Sequence, residues 1–213
     1  YAKPAPVVAR RDTFEIDERM AADGSVVRAM DGAAATTVVR AALEAESYNA
    51  VAICFLNGYL NPAHEERLAE IVRGIDPKLS VTCSYEVTRE FREYERASTT
   101  TLAAYVQPVI EGYLGRFVTK LAENGFDGRF SVMQSNGGRM PAEAMARNAI
   151  AALFSGPAAG VVGALRQVGA SGLRDLITLD MGGTSTDVSL ISDGVPELAP
   201  MPKIDGLPVK TPV

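Results

Sequence analysis

Apolar residues recur along this chain in two rhythms. Over residues 14–19 they alternate with charged ones (Phe14 and Ile16 against Glu15 and Asp17), and Ala22-Asp23-Gly24-Ser25 then turns the chain toward Val26 and Val27. A period of two broken by Asp-Gly predicts a β-hairpin, because successive side chains of a strand point to opposite faces. Asp31 stands where an N-cap belongs, ahead of a helix to about residue 47 with Val38, Val39, Ala42 and Leu43 on one side. Residues 50–56 are apolar throughout, as expected of a strand covered on both faces. Asn61-Pro62 opens a second helix, with Leu68, Ile71 and Val72 inward and Gly74 as its stop, and residues 79–83 read as another short strand. Strand, helix, strand, helix, strand is the order of an α/β layer.

The second half is helical first. Ser98 or Thr99 caps a long helix reaching about residue 124, in which Leu102, Tyr105, Val106, Val109, Ile110, Tyr113, Leu114, Phe117, Val118 and Leu121 form one stripe. That spacing assigns the aromatic residues to the core, with Pro108 kinking the helix and Asn124-Gly125 ending it. Residues 129–134 then read as a strand running into Ser135-Asn136-Gly137-Gly138. Loops at the carboxyl ends of strands are where open α/β sheets hold ligands, although a plain turn before a helix begun by Pro141 fits equally. A further helix starts at Ser155-Gly156-Pro157, with Ser155 as its cap and Gly156 leaving room for a ligand at the positive end of the helix dipole. Its small residues Ala159, Gly160, Gly163 and Ala164 equally suit close packing alone.

Candidate chemistry concentrates in residues 176–191, where an apolar run ends in Asp180, a small-residue loop follows, and after Asp187 the apolar pattern resumes. Gly182 and Gly183 can take positive φ and carry no Cβ, so neighbouring N–H groups could gather around an anion. Thr184, Ser185 and Thr186 add hydroxyl donors, and Asp180 and Asp187 flank the loop as ligands for a phosphate-bound Mg²⁺ or its waters. A flexible hairpin turn is the simpler reading, and the flanking carboxylates and hydroxyls weigh against it.

Bulk properties narrow the classes. With 213 residues, 47% hydrophobic and 22% charged, the chain suits one large or two small globular domains. A net charge of -5 and a pI near 5.0 give no support for a nucleic-acid or anionic-membrane surface. The sequence holds no bilayer-length apolar run and no signal-peptide pattern. Cys54 and Cys83 sit in apolar segments without metal-ligand spacing and read as buried free thiols, which points to a reducing, cytoplasmic setting. His64 reads as a solvated first-turn residue, and the charges from Arg89 to Arg96 as a solvated hinge face or, failing that, a substrate-facing loop. The start at Tyr1 and the Pro-rich last residues lead us to expect a piece of a longer protein.

Four motifs in order carry a resemblance: Arg92-Glu93-Tyr94-Glu95-Arg96, Met133-Gln134-Ser135-Asn136-Gly137-Gly138, Ser155-Gly156-Pro157-Ala158-Ala159-Gly160, and Asp180-Met181-Gly182-Gly183-Thr184-Ser185-Thr186-Asp187. Together they resemble the hydantoinase A / 5-oxoprolinase family, which includes N-methylhydantoinases and subunits of ATP-dependent ketone carboxylases. The resemblance implies an α/β protein with a ribonuclease H-like subdomain of the actin, Hsp70 and sugar-kinase type, joined to part of an N-terminal α/β domain. It divides the chain into residues 1–90, the end of the N-terminal domain, and residues 91–213, the first part of the ATPase-like domain.

By the same resemblance, ATP and Mg²⁺ are the cofactors, a cyclic amide is the substrate, and a hydantoinase B-like subunit is the partner. The implied activity is ATP-dependent opening of a lactam ring, with a ketone carboxylase subunit or a non-catalytic scaffold as alternatives. Asp180 and Asp187 would serve catalysis and the metal. Gly182, Gly183, Thr184, Ser185 and Thr186 would hold phosphate, with Gly137, Gly138 and Gly156 lining the cleft more distantly. Two departures from the family pattern stand out. An earlier Asp-Val-Gly-Gly-Thr loop and a later Gly-rich segment are not in these residues, and Asn57-Gly58 stands where relatives often have His-Ser.

Overall fold

The computed structural model describes residues 6–183, 185–204 and 206–211. In chain order the elements are β1 (Arg19–Met20), β2 (Val26–Arg28), α1 (Gly32–Ala45), β3 (Ala50–Ile53), α2 (Ala63–Ile75), β4 (Ser80–Cys83), α3 (Ser84–Val87) and α4 (Glu93–Glu123). There follow β5 (Ser131–Met133), β6 (Arg139–Pro141), α5 (Ala142–Arg147), α6 (Ser155–Gly169), β7 (Leu176–Met181), β8 (Thr186–Ser192), β9 (Val195–Pro196), β10 (Lys203–Ile204) and β11 (Leu207–Pro208). The protein is therefore mixed α/β. It divides into two compact units, Tyr1–Gly112 with Lys203–Lys210, and Tyr113–Pro202 with Thr211–Val213.

In the first unit β3 and β4 pair in parallel, Ala50 opposite Ser80 through Ile53 opposite Cys83, with α2 as the crossover. Ala35, Ile53, Leu68, Ala69 and Cys83 form its core, joined at the edges by Ile16, Val39, Phe55 and Val81. Asp31 caps α1 as its position predicts, accepting from the N–H groups of Ala33 and Ala34. The α2 helix runs one residue past Gly74 and ends against Asp76, so Gly74 is not its stop. Strand pairing in the first hairpin is confined to Arg19–Met20 and Val26–Arg28, with Gly24 in the left-handed region at the turn. Both cysteines are free, and burial raises the Cys83 thiol to about 12.

The carboxyl edge of this parallel pair closes over a buried charged network. Glu65, fully buried, accepts from the Phe55 N–H at 2.9 Å, the Ser84 hydroxyl at 2.6 Å and the Tyr85 N–H at 3.3 Å. Arg96, also fully buried, donates to Ser84 Oγ at 3.1 Å and to the carbonyls of Glu90 and Phe55 at 3.1 and 2.5 Å. Its guanidinium lies 5.4 Å from the centre of the Tyr59 ring. Gly58 is required here, because a Cβ would sit 2.4 Å from Glu65 Oε1. Burial raises the Glu65 carboxyl above its ordinary range, outweighing the hydrogen bonds and the Arg96 charge.

Further expectations are corrected in this unit. His64 is buried and pairs with Glu18 at 2.7 Å, because its ring lies on the inner side of the first turn of α2. The Arg89–Arg96 stretch is not uniformly solvated, since Arg96 points inward to a carboxylate that only the fold brings near. The α4 helix begins at Glu93, so Thr99 lies inside it, buried, bonding to the Glu95 carbonyl and accepting from the Lys210 N–H.

The long helix continues through Pro108 to Glu123 and ends at Asn124-Gly125, with Gly125 left-handed. Its buried residues are Arg96, then small or polar ones, Thr99, Thr100, Ala103, Ala104 and Gln107, together with Leu114. Tyr105, Val109, Tyr113, Phe117 and Val118 are exposed, which overturns their assignment to the core. Periodicity shows that a stripe exists, but only packing shows which side of the helix is covered.

The second unit holds two antiparallel sheets. The β5–β6 hairpin pairs Ser131 with Pro141 through Met133 with Arg139, and β7, β8 and β9 form a three-stranded sheet in that order. Helix α6 packs on β5, β7 and β8. It begins at Ser155, and Ser155 does not cap it, because Phe154 precedes the first turn without a side-chain cap.

Two outcomes are expected of the charged network. Arg96→Met leaves Glu65 buried without a countercharge and should cost about 3–5 kcal/mol in denaturant unfolding, while a loss under about 1 kcal/mol, as for an exposed charge, would refute the role given to Arg96. The sign of the pH effect follows from the raised Glu65 carboxyl: its stabilisation is complete below the unfolded carboxylate pKa and is lost as pH rises through the folded one. Stability of the native chain relative to Glu65→Gln should therefore fall with rising pH just above the ordinary carboxylate range, and a difference that is flat or rises with pH contradicts this.

Candidate functional site in the second unit

The strand-loop-strand reading of residues 176–191 holds, with Met181, Thr186 and Asp187 joining the strands and shortening the loop. Strands β7 and β8 pair from Leu176 opposite Ile191 to Met181 opposite Thr186, which puts Asp180 directly opposite Asp187. Residues opposed across an antiparallel pair project to the same face, so the two carboxylates share one. That face is the one toward α6: a Cβ on Gly160 would lie 3.8 Å from Asp180 Oδ2, and Asp187 lines a cleft together with α6 residues.

The turn between the strands closes with the Gly182 N–H donating to the Ser185 carbonyl at 2.9 Å. That bond commits one of the N–H groups expected to face an anion. Neither Gly182 nor Gly183 adopts positive φ, which corrects the expectation for both. The Gly182–Ser185 bond closes the turn, and a Cβ on Gly183 would meet nothing within 4 Å. Gly182, Gly183, Ser185 and Thr186 are exposed, and Thr184 lies outside the described residues.

The cleft has a volume of about 440 Å³. Asn136 and Gly137 contribute from the first glycine loop, Phe154, Pro157, Ala158 and Val162 from the start of α6, and Asp187 and Ser189 from β8. Pro196, Glu197 and Leu198 close another side, positioned where the Glu197 N–H bonds the Leu190 carbonyl at 2.9 Å. Buried Ser135 ties the glycine loop to the entrance of α6, its Oγ donating to the Ala151 carbonyl at 2.9 Å and accepting from the Phe154 N–H at 3.0 Å. Gly137 is left-handed, and a Cβ there would lie 2.9 Å from Val162. Gly138 is held by the Asn136 side chain, outside the lining, and Gly156 is exposed with nothing near its Cβ position.

The structure thus joins Gly137 and Asp187 in one cleft, sets Asp180 beside it, and leaves Gly138 and Gly156 outside its lining. Sequence reasoning missed Ser135, Ser189 and Glu197. Ser189 was within reach of it, since it lies two residues from Asp187 and so on the same face. Glu197 depended on the return of the chain after β9.

Two regions match family models, residues 1–76 that of the hydantoinase/oxoprolinase N-terminal region and residues 96–213 that of hydantoinase/oxoprolinase. The chain belongs to the hydantoinase/oxoprolinase family. Within the family it is 37% identical over 194 residues to the caprolactamase subunit alpha of Pseudomonas jessenii, covering 91% of this chain and 28% of that one. It is 32% identical to the acetophenone carboxylase gamma subunit of Aromatoleum aromaticum, covering 89% of this chain and 26% of that one.

Solved structures agree. A nucleotide-free acetone carboxylase, described in terms of ATP-dependent acetone carboxylation, matches with a TM-score of 0.81 at 28% identity, over 93% of this chain and 28% of that one. The ATP-dependent caprolactamase of Pseudomonas jessenii matches with a TM-score of 0.80 at 32% identity, over 99% and 30%. The chain therefore spans less than a third of the length of these relatives, and several of them are named as subunits. This is a family of enzymes that process amides or ketones with ATP. Among the described residues no helix is long and apolar enough to cross a membrane.

The two glycine positions should separate on substitution. Gly137→Ala is expected to destabilise by about 1–2 kcal/mol because it forces a side chain into the left-handed region against Val162, whereas Gly156→Ala, near the start of a helix, should be neutral or stabilise by up to about 1 kcal/mol. Thermal unfolding of both variants checks this, and equal effects would show that the loop does not need its glycine.

Proposed function

We propose that the full-length protein carrying this chain is a cytoplasmic ATP-dependent cyclic amidase of the hydantoinase and 5-oxoprolinase type, acting with a hydantoinase B-like subunit. In this reading the second unit is part of a ribonuclease H-like domain of the actin, Hsp70 and sugar-kinase type. The observation that supports it most is the opposition of Asp180 and Asp187 on one face of a hairpin, beside a cleft and next to a turn of glycine and hydroxyl residues. The 37% identity to a caprolactamase subunit favours a lactam.

ATP supplies the phosphoryl group that makes a ring carbonyl electrophilic enough for water to open the amide. Gly183, Thr184, Ser185 and Thr186 would offer backbone and hydroxyl donors to phosphate oxygens, while Gly182, its N–H taken by the Ser185 carbonyl, would leave room for those oxygens to approach. Asp180 and Asp187 would hold Mg²⁺, which takes one or two carboxylates plus phosphate oxygens and neutralises their charge. The residues fit that use in that two carboxylates share a face beside the turn. Asp187 also orients water from within the cleft, and Gly137 keeps that wall close to α6. Gly138 supports the same loop, and Gly156 leaves the start of α6 unobstructed.

A second reading, a subunit of a ketone carboxylase, draws on the acetophenone carboxylase and acetone carboxylase matches. ATP hydrolysis by the full-length protein with its partner, measured against hydantoin, 5-oxoproline, caprolactam, and acetone with bicarbonate, separates the two. Stimulation by a lactam is expected, with kcat falling about 10²–10³-fold in Asp180→Asn or Asp187→Asn. Turnover only with the ketone and bicarbonate would replace the amidase reading by the second. Unchanged rates in Asp180→Asn and Gly183→Val would make this region a non-catalytic scaffold.

A further inference from the structure

Strands β7 and β8 are built the wrong way round for a sheet with one open face. Their face toward α6 carries Thr178, Asp180, Asp187 and Ser189, while the opposite face carries Ile177, Leu179, Met181, Val188 and Leu190. Ile177 is paired with Leu190 and Leu179 with Val188, so these side chains form one continuous strip. All five are 44 to 74% exposed. Antiparallel sheets with a solvated face place polar residues on it, and a contiguous apolar strip marks a surface covered in the functional protein. In addition β7 is an edge strand, its other side unpaired among the described residues, and an uncovered apolar edge is an aggregation hazard that proteins ordinarily pair or cover.

We infer that this strip is an intramolecular interface, covered by polypeptide of the same full-length chain lying outside residues 1–213. The solved relatives carry this fold with TM-scores of 0.80 and 0.81 in chains of which it spans only 30% and 28%, so ample polypeptide is on hand in the same molecule. The covering segment needs apolar side chains complementary to Ile177, Leu179 and Met181, none of which lines the cleft, while Val188 and Leu190 continue the strip to the rim of the cleft. Because those residues alternate with Asp180 and Asp187 on the same two strands, the cover also fixes the carboxylates and the turn between them. The inference rests on exposure and pairing and stands apart from the amidase reading.

Met181, 71% exposed in residues 1–213, is a built-in probe. The full-length protein is treated with dilute hydrogen peroxide, native and in denaturant, and oxidation of Met181 is followed by peptide mass spectrometry. Protection of roughly tenfold or more in the native monomer is the expected result, since oxidation follows access to the sulfur. Oxidation of native Met181 at the unfolded rate would overturn the inference. Protection that disappears on dilution would assign the face to a second copy, and protection that requires a co-purified subunit would assign it to that partner; either outcome also overturns it. Leu179→Asp in the full-length protein is the companion variant, expected to lower the melting temperature and expose Met181. A Leu179→Asp protein with unchanged melting and unchanged Met181 protection would count against the inference.

Discussion

The first unit depends on a carboxylate it cannot leave uncompensated. Glu65 sits on the inner face of α2, at the carboxyl edge of the parallel pair, where no water reaches it. Three donors, one from the loop after β3 and two from the start of α3, converge on it, and Arg96 balances its charge through Ser84 while holding the carbonyls of Phe55 and Glu90. A buried charge with one partner removed is among the most destabilising arrangements in a protein, so the loop after β3, the start of α3 and the start of α4 are fixed together. Gly58 belongs to the same constraint by leaving the space the carboxylate occupies.

That network crosses the limits of the two family regions. Glu65 lies within residues 1–76, and Arg96 is the first residue of the 96–213 match. Lys210 bonds to Thr99 and pairs with Glu90, and it too belongs to the first unit. Regions recognised by sequence similarity and units recognised by compactness therefore divide the chain differently, because one follows the residues in order and the other follows the bonds they make.

In the second unit the controlling feature is strand register. Pairing Asp180 with Asp187 places both carboxylates toward α6, and a slip of one residue would turn them outward and bring the apolar strip inward. Ser135 complements this by anchoring the first glycine loop to the entrance of α6, which brings Gly137 to the cleft that Asp187 lines. The two glycines of the β7–β8 turn have a different part from Gly137. Gly137 is demanded by backbone conformation and by Val162, while nothing among the described residues requires the absence of a side chain at Gly183.

What the sequence by itself determined is local. Asp31 as a cap, Asn124-Gly125 as a stop and the small-residue loop between two apolar runs all express preferences of a few neighbouring residues, and each appears in the structure, whereas the alternation over residues 14–18 forms no strand. The tertiary structure decided whatever depended on a distant partner. His64 was polar by composition and became buried through Glu18, forty-six residues away. Arg96 read as one charge in a solvated run until Glu65, Ser84 and Phe55 closed around it. Tyr105 and Tyr113 fitted a helical stripe, but burial went to the side bearing Ala103, Ala104 and Gln107, because small side chains allow close approach. Periodicity fixes the angle between side chains on a helix, and only the neighbour that packs against it decides which of them face inward.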